Sequence, residues 1–241
     1  MSRRAPVGVF DSGMGGFGVA AAIRRLLPHE SVLYLGDTAH RPFGPRSATE
    51  VAEYAQAAEA FFAREGAKAW VIACNTASVV ASELEGRLPV VEMVAPAVES
   101  AARLAPASLA LLGTLGTIRS GVYQRALAQR LPSVRVVAQA CEEALRLAEA
   151  GGGDDPARLR ALLAECLSAA AGCEATILGC TDFTCVRPVL EEVNRGRTLL
   201  IDPAEAAVKC AERQVAGLPS ELQHQTIGEA QRRPRAEQFQ R

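Results

Sequence analysis

Short apolar runs alternate along the chain with longer stretches rich in alanine, leucine and charged residues. The short runs are typical of buried strands, and the longer stretches are typical of helices. The apolar runs predict strands over residues 7–10, 31–35, 70–73, 90–94, 108–112, 134–138, 176–178 and 199–201. The longer stretches predict helices over residues 19–27, 49–65, 78–86, 120–130, 144–150, 157–171, 186–193 and 204–215. Strands that alternate with helices in this way predict parallel sheets and an α/β fold.

The pattern of strands and turns starts a second time in the middle of the chain. A strand followed by a glycine-rich turn at 7–16 recurs at 108–116. A strand that ends in a cysteine at 70–74 recurs at 176–180. The repeat indicates a duplicated half-domain, and two such halves that face each other enclose one cavity.

Composition limits the classes of partner. The 241 residues are 49% hydrophobic and 22% charged, which is typical of a chain with a packed core. A net charge of −1 offers no basic surface to nucleic acid, so a small or neutral partner fits better. The longest uncharged apolar run, at 104–118, is too short to cross a bilayer, and the first residues do not resemble a signal peptide. We therefore expect a cytoplasmic protein with no membrane partner.

The cysteines and histidines do not have the spacing of a metal site or a disulfide framework. Seven cysteines are an odd number without paired spacing, and the three histidines are scattered along the chain. We therefore predict neither a structural metal nor a set of disulfide bonds.

Two of the cysteines occupy matching positions in the repeat. Segment 70–78 has the sequence Trp-Val-Ile-Ala-Cys-Asn-Thr-Ala-Ser, and segment 175–182 has the sequence Ala-Thr-Ile-Leu-Gly-Cys-Thr-Asp. Cys74 and Cys180 each follow an apolar strand, and the carboxyl ends of such strands face the ligand crevice of open α/β sheets. A helix N-terminus after each cysteine is expected to lower the pKa of its thiol. Two opposed thiols can remove a proton from one face of a carbon and return it to the other; the alternative is that both are small buried hydrophobes.

A glycine-rich turn after the first strand has three interpretations. Segment 11–18 has the sequence Asp-Ser-Gly-Met-Gly-Gly-Phe-Gly, which contains the spacing of dinucleotide-binding loops, and Asp37 lies at the end of the next strand. Asp11 stands at the mouth of the loop, where its charge repels phosphate and attracts an ammonium group. The amino-group site is therefore favoured over a structural glycine turn and over a nucleotide site.

Three further positions have both a functional and a structural interpretation. Segment 113–117, Gly-Thr-Leu-Gly-Thr, either binds a carboxylate through its hydroxyl and backbone N–H groups, with Thr117 among them, or only starts a helix. Asp182 either orients Cys180 or caps the turn that follows. Glu149 ends a predicted helix, where a solvated surface is the simpler interpretation.

Five segments follow one another in a distinctive order. They are Asp-Ser-Gly-x-Gly-Gly at 11–16, Gly-Asp-x-x-x-x-Pro-Phe-Gly at 36–44, Cys-Asn-Thr-Ala-Ser at 74–78, Gly-Thr-x-x-Thr-x-x-Ser-x-x-Tyr at 113–123 and Leu-Gly-Cys-Thr at 178–181. Each segment alone is common, whereas all of them in this order are specific. From residue 7 to residue 207 the chain resembles the glutamate racemases, which belong to the cofactor-independent aspartate/glutamate racemase superfamily.

The resemblance implies a fold, a reaction and a partner. The implied fold has two similar parallel-sheet α/β domains related by a pseudo-twofold axis, with the active site in the cleft between them. Residues 1–96 with 208–241 would form the first domain, and residues 97–207 the second. The implied reaction interconverts L- and D-glutamate without cofactor or metal and supplies D-glutamate for peptidoglycan. The implied partner is a small acidic amino acid, and the oligomeric state is open between a monomer and a homodimer.

The resemblance also implies which residues form the site. The two catalytic cysteines of the family correspond to Cys74 and Cys180, and a supporting glutamate corresponds to Glu149. The predicted catalytic set is Asp11, Cys74, Glu149, Cys180 and Asp182. The predicted substrate-binding set is Asp11, Ser12, Pro42, Phe43, Gly44, Asn75, Thr76, Thr117, Thr181 and Asp182.

Three departures from the family pattern leave the specificity open. Asp182 replaces a histidine that helps its neighbouring cysteine to move protons, and the negative charge of Asp182 is expected to raise the pKa of Cys180. Phe43 replaces a tyrosine, and Glu142 and Glu143 lie in a segment that is apolar in the family. One alternative is a racemase for aspartate or another acidic amino acid, since related aspartate racemases carry an acidic residue at the position of Asp182. The others are a catalytically impaired relative that binds an acidic amino acid or a protein, and a nucleotide-dependent oxidoreductase.

Overall fold

The computed structural model describes residues 5–150 and 155–216. These residues form two four-stranded parallel sheets, which confirms the predicted fold class. The sequence Gly-Gly-Gly-Asp-Asp at 151–155 predicts a loop, and residues 151–154 lie outside the described residues. The tail from Arg232 is charged and rich in glutamine, which predicts a mobile segment, and it also lies outside them.

The first half of the chain builds one sheet and most of the helices that cover it. Its strands are β1 (Val7–Asp11), β2 (Val32–Gly36), β3 (Ala69–Ile72) and β4 (Val90–Val91). Its helices are α1 (Phe17–Leu26), α2 (Ala48–Arg64), α3 (Asn75–Ser78) and α4 (Val94–Leu104), of which α4 packs in the core of the second sheet. The parallel strands lie in the order β2-β1-β3-β4, so the carboxyl ends of β1 and β3 are neighbours.

The second half of the chain repeats this arrangement. Its strands are β5 (Ser108–Gly113), β6 (Arg135–Ala140), β7 (Ala175–Gly179) and β8 (Leu199–Ile201). Its helices are α5 (Leu115–Ser120), α6 (Val122–Arg130), α7 (Glu142–Glu149), α8 (Pro156–Ser168), α9 (Asp182–Cys185), α10 (Arg187–Asn194) and α11 (Ala204–Ala216). The strand order β6-β5-β7-β8 is that of the first sheet, which supports the repeat seen in the sequence.

Helices cover both faces of each sheet because the strands are apolar on both faces. On one face of the first sheet, Val7 packs in one core with Ile23 of α1 and Val208 of α11. On the other face, Trp70 packs with Phe62 of α2. Strands buried on both sides have nearly continuous apolar sequences, which is why the strands were readily predicted. The last helix, α11, thus returns from the second half of the chain to the first sheet.

The helix predicted over 78–86 is wrong. The chain instead ends α3 at Ser78 and forms a single 3₁₀ turn at Ala81–Glu83. The backbone N–H groups of Arg87 and Leu88 donate to the carboxylate of Glu59 on α2, at 2.9 and 3.1 Å. Within the predicted helix, the N–H group of Glu85 donates to Oε1 of Gln56 on α2 at 3.0 Å. Side chains of α2 therefore satisfy donors at the end of this segment that a helix would otherwise pair.

The boundary near residue 94 also differs from the prediction. The strand predicted over 90–94 ends at Val91, and α4, which the sequence pattern did not reveal, begins at Val94. The carboxylate of Glu92 accepts the N–H group of Val94 and, at 2.9 Å, that of Ala95. An acceptor at this position satisfies the free donors of a first helical turn, so the chain changes from strand to helix here.

Candidate active site

A cavity lies at the carboxyl ends of the central strands of the two sheets. Its volume is about 370 Å³, and residues from both halves of the chain line it. Cys74, which follows β3, and Cys180, which follows β7, both line this cavity. The other predicted site residues that line it are Ser12, Pro42, Phe43, Gly44, Asn75, Thr76, Glu149, Thr181 and Asp182.

The Cys74 thiol lies in a buried position next to a hydroxyl group. It donates a hydrogen bond to the Ser12 hydroxyl, with 3.5 Å between Sγ and Oγ. Burial, followed by the charge of Asp11, raises the pKa of Cys74 to about 12. The prediction that a helix N-terminus lowers this pKa is therefore wrong, because α3 is only four residues long and burial outweighs its donors.

The Cys180 thiol has an acid as its neighbour. It donates to Oδ2 of Asp182, with 3.4 Å between Sγ and Oδ2. Burial and then the charge of Asp182 raise the pKa of Cys180 well above its ordinary value, again opposite to the effect expected of a helix N-terminus. The expectation that Asp182 itself raises this pKa agrees with the structure.

Asp182 is itself a perturbed acid. Burial and the nearby charge of Asp11 raise the pKa of Asp182 to about 7, while Arg41 lowers it slightly. A carboxyl group with a pKa near neutrality can both accept and return a proton at ordinary pH. The pair formed by Asp182 and Cys180 therefore has the chemistry of a general base next to a thiol.

Asp11 lies behind the cavity and does not line it. Only 2% of its surface is exposed, and burial raises the pKa of Asp11 to about 6. Its carboxylate accepts the N–H group of Gly13 at 3.0 Å and the hydroxyl group of Thr181 at 3.2 Å. Asp11 acts on the cavity through Thr181 and through its charge, and direct contact with a substrate ammonium group stays a prediction.

The glycine-rich loop lies against the second half of the chain. A Cβ atom at Gly15 would stand 2.5 Å from the Thr181 hydroxyl, and one at Gly13 would stand 2.6 Å from Oε1 of Glu149. Both distances are shorter than real Cβ contacts, so these glycines permit close packing of the two halves. Side chains thus fill the space in front of the loop that a pyrophosphate would need, which argues against the nucleotide interpretation.

Glu149 forms an ion pair between the two halves. Its Oε1 atom lies 3.2 Å from Nη1 of Arg41, which belongs to the loop after β2. Glu149 is therefore not on a solvated face, as the local sequence alone suggested. The pair joins the end of α7 to the loop that carries Pro42, Phe43 and Gly44 and so holds the cleft closed.

Hydroxyl and amide groups form a second side of the cavity. The Oγ1 atom of Thr76 lies 2.8 Å from that of Thr114 and 3.3 Å from that of Thr117. Thr117 is fully buried, so it supports Thr76 and Thr114 instead of lining the cavity. Tyr123 donates to Oδ1 of Asn75 at 2.6 Å, and this contact orients the Asn75 amide so that its NH₂ group is the end available to a ligand.

Several residues of the cavity were not predicted from the sequence. They are Glu142, Glu143, Leu145 and Arg146, whereas Thr114 belongs to the segment 113–117 that the sequence offered as a carboxylate site. All four belong to α7, which follows the edge strand β6. The charged start of this helix was visible as a departure from the family pattern, but only the fold shows that the helix borders the cavity.

Among the residues that the structure describes, no group of three or more His, Cys, Asp and Glu side chains is arranged to hold a metal ion. In the same part of the chain, no helix has both the length and the apolar character that a membrane crossing requires.

The fold and the site define a class of α/β protein in which two parallel-sheet halves each contribute a cysteine to one shared cavity. The Asp/Glu/Hydantoin racemase family model matches residues 18–211. The chain belongs to this family, which confirms the resemblance inferred from its sequence motifs.

Individual relatives agree with this assignment. The chain is 40% identical over 214 residues to a glutamate racemase from Stutzerimonas stutzeri, covering 85% of this chain and 80% of the relative. It superimposes on glutamate racemase from Thermus thermophilus in complex with beta-chloro-D-alanine with a TM-score of 0.77 and 36% identity, over 90% and 82% of the two chains. Glutamate racemase from Francisella tularensis in complex with D-glutamate gives a TM-score of 0.81 at 26% identity, over 93% and 85% of the chains.

Proposed function

We propose that the protein interconverts L- and D-glutamate in the cytoplasm and so supplies D-glutamate for peptidoglycan. One observation carries the proposal: Cys74 and Cys180, from different halves of the chain, line the same cavity. The relatives named glutamate racemases, one of them in complex with D-glutamate, support glutamate as the substrate.

The proposed reaction moves one proton off the α-carbon and another onto it. Asp182 accepts the proton of Cys180, and the resulting thiolate removes the α-proton of the substrate. The electron pair of the broken Cα–H bond passes into the α-carboxylate group. The Cys74 thiol then gives its proton to the opposite face of the carbon, which inverts the configuration. Exchange of protons with solvent after product release restores the starting state, and the reverse reaction exchanges the roles of the thiols.

The carbanion formed in this reaction needs electrostatic stabilisation. General acid–base catalysis contributes about 10²–10⁴-fold, which is too little for so weak a carbon acid. The neutral donors at the cavity, from Ser12, Asn75 and Thr76, are placed to bind the α-carboxylate group, whereas the Thr181 hydroxyl already donates to Asp11. Donors held by other side chains, such as the Asn75 amide held by Tyr123, require little reorganisation during the reaction.

Besides electrostatic stabilisation of the carbanion, the proposed reaction requires a closed cleft. The Arg41–Glu149 ion pair and the close approach of Gly15 to Thr181 join the two halves around the cavity. Exclusion of water strengthens the electrostatic interactions inside, so we propose that substrate entry and product release require these contacts to open.

The two thiols provide the direct test. Purified protein is incubated with L-glutamate in D₂O, and both α-proton exchange and the formation of D-glutamate are measured. Cys74→Ser and Cys180→Ser are each expected to lose nearly all racemisation, because a serine hydroxyl is a far weaker acid than a thiol. Cys210→Ser is the matched control, since Cys210 is only half-buried and lies outside the cavity. Full activity in either cavity variant would rule out the two-thiol reaction.

A second candidate is an aspartate racemase, favoured by the acidic side chain of Asp182 beside Cys180. The same assay with L- and D-aspartate separates the two candidates through their relative kcat/KM values. A protein that exchanges the α-proton of neither amino acid would instead be a non-catalytic binder.

A further inference from the structure

Helix α7 presents several charged side chains to the cavity, and all but one of them have a partner. Glu142 accepts the N–H group of Leu115. Glu143 pairs with Arg158 of α8, and Glu149 pairs with Arg41. The remaining charged residue, Arg146, lines the cavity without a hydrogen bond or ion pair from its guanidinium group to any described residue.

The other charged side chains that line the cavity are acidic, so the position of Arg146 bears on which substrate the cavity binds. The lining contains four acids, Glu142, Glu143, Glu149 and Asp182, and within the described part of the chain its only basic residue is Arg146. An acidic amino acid brings one ammonium group and two carboxylates. The α-carboxylate has neutral donors near the two cysteines. The acids of the lining repel the side-chain carboxylate, and a cation beside it offsets this repulsion.

We infer that Arg146 binds the side-chain carboxylate of the substrate and thereby determines its specificity. The inference rests on the proposed function, because it assumes an acidic amino acid in this cavity. A guanidinium group matches a carboxylate through two parallel hydrogen bonds. Since no carboxylate of residues 5–150 and 155–216 pairs with Arg146, binding of substrate breaks no ion pair within this part of the chain.

The test compares substrates with and without the distal charge. In Arg146→Gln, KM for glutamate is expected to rise about 10- to 100-fold, the range for loss of a hydrogen-bonded ion pair, with a smaller change in kcat. The affinity for glutamine, which has the same shape without the charge, should change little. Arg146→Lys should recover part of the affinity for glutamate, because lysine restores the charge but not the paired hydrogen bonds.

Arg24→Gln is the matched control. Arg24 is also an exposed arginine on a helix and has no ion pair with a described residue, but it lies outside the cavity. Its replacement should leave KM for glutamate unchanged. Circular dichroism of each variant shows whether the fold is intact.

Failure of the inference and failure of the proposed function give different results. If the wild type racemises glutamate and Arg146→Gln keeps the same KM, Arg146 is not the specificity residue. An equal rise in KM for glutamate and glutamine would likewise overturn the assignment. If the wild type racemises neither acidic amino acid, the proposed function fails, and calorimetric titration with glutamate still tests Arg146. Weaker binding to Arg146→Gln then supports the inference, and equal binding or no binding to the wild type overturns it.

Discussion

Replacement of Asp182 by asparagine should change the rate of racemisation through two opposing effects on the Cys180 thiol. The substitution removes the negative charge that raises the pKa of Cys180. It also removes the group that accepts the thiol proton, at 3.4 Å. The first effect alone would make the thiolate easier to form and the enzyme faster. The second alone would make it slower.

The causes of the raised pKa of Cys180 decide between the two effects. Burial raises this pKa more than the charge of Asp182 does, so the asparagine variant keeps the larger obstacle to ionisation. A positioned general base contributes about 10²–10⁴-fold to a proton transfer. We therefore expect kcat/KM of Asp182→Asn to fall by about 100-fold or more. Because the two enantiomers have equal free energy, kcat/KM must fall by the same factor in both directions.

The pH dependence gives an independent readout. Asp182 accepts a proton only when it is ionised, and its pKa is raised to about 7, so wild-type kcat/KM should rise with pH through this value. The asparagine variant should lack this rising limb. An unchanged limb would assign the titration to another group, and an increase in kcat/KM at neutral pH would refute the role of Asp182 as proton acceptor.

The same substitution should stabilise the fold at high pH. The pKa of Asp182 is raised from 3.8 to about 7, so the folded state binds a proton more tightly than the unfolded state does. Its favourable contribution is complete below 3.8 and is lost as the pH rises through about 7. One pKa unit corresponds to about 1.4 kcal/mol, so between about pH 4 and pH 8 the wild type should lose about 4 kcal/mol that Asp182→Asn retains.

Urea unfolding of both proteins at the two pH values measures this difference, and changes in packing cancel because each protein is compared with itself. Glu53→Gln, an exposed acid on α2, is the control and should show the wild-type dependence. Equal pH dependence in Asp182→Asn and the wild type would show that the carboxyl group is not perturbed.

Two further substitutions test the closed cleft. Arg41→Gln should raise KM less than about fivefold, because a partly exposed pair contributes about 0–1 kcal/mol. It should also shift the rising limb of the pH profile to higher pH, since Arg41 lowers the pKa of Asp182. Measurement of kcat and KM as a function of pH shows the change in KM and the shift of the limb, and a shift to lower pH would contradict the argument. Gly15→Ala places a Cβ 2.5 Å from the Thr181 hydroxyl and should reduce kcat/KM by about 10²-fold. Urea unfolding separates this loss from general destabilisation, and wild-type activity would show that the halves tolerate the extra atom.

Much of the fold follows from local sequence because both sheets are buried on two faces. Such strands are nearly continuous apolar runs, and Leu199–Ile201 was predicted with its observed bounds. Parallel strands also fix which ends meet, so cysteines that follow β3 and β7 could be expected at one cavity. The failures occur where a distant side chain decides the local structure, as with Glu59 and the segment 78–86, or where a short turn converts strand to helix, as with Glu92.

The chemistry of the site was harder to predict than its location. The sequence suggested lowered thiol pKa values because each cysteine precedes a helix. The fold reverses the sign, since Cys74 and Cys180 are buried and face the charges of Asp11 and Asp182. Burial is a property of packing, which no local pattern contains. Arg146 was not predicted as a site residue for the same reason. Only the order of the strands places its helix, α7, beside the cavity.

The two charged residues on which this site depends, Asp182 and Arg146, have opposite charges and line the same cavity. An acid at position 182 gives Cys180 a proton acceptor, but its ionised form also repels a substrate with two carboxylates. Arg146, which has no ion pair with a described residue, supplies the opposite charge. The acid that serves proton transfer and the cation that receives the distal carboxylate are therefore complementary. A protein with Asp182 alone would be expected to bind glutamate poorly, and one with Arg146 alone would lack the acceptor for its buried thiol.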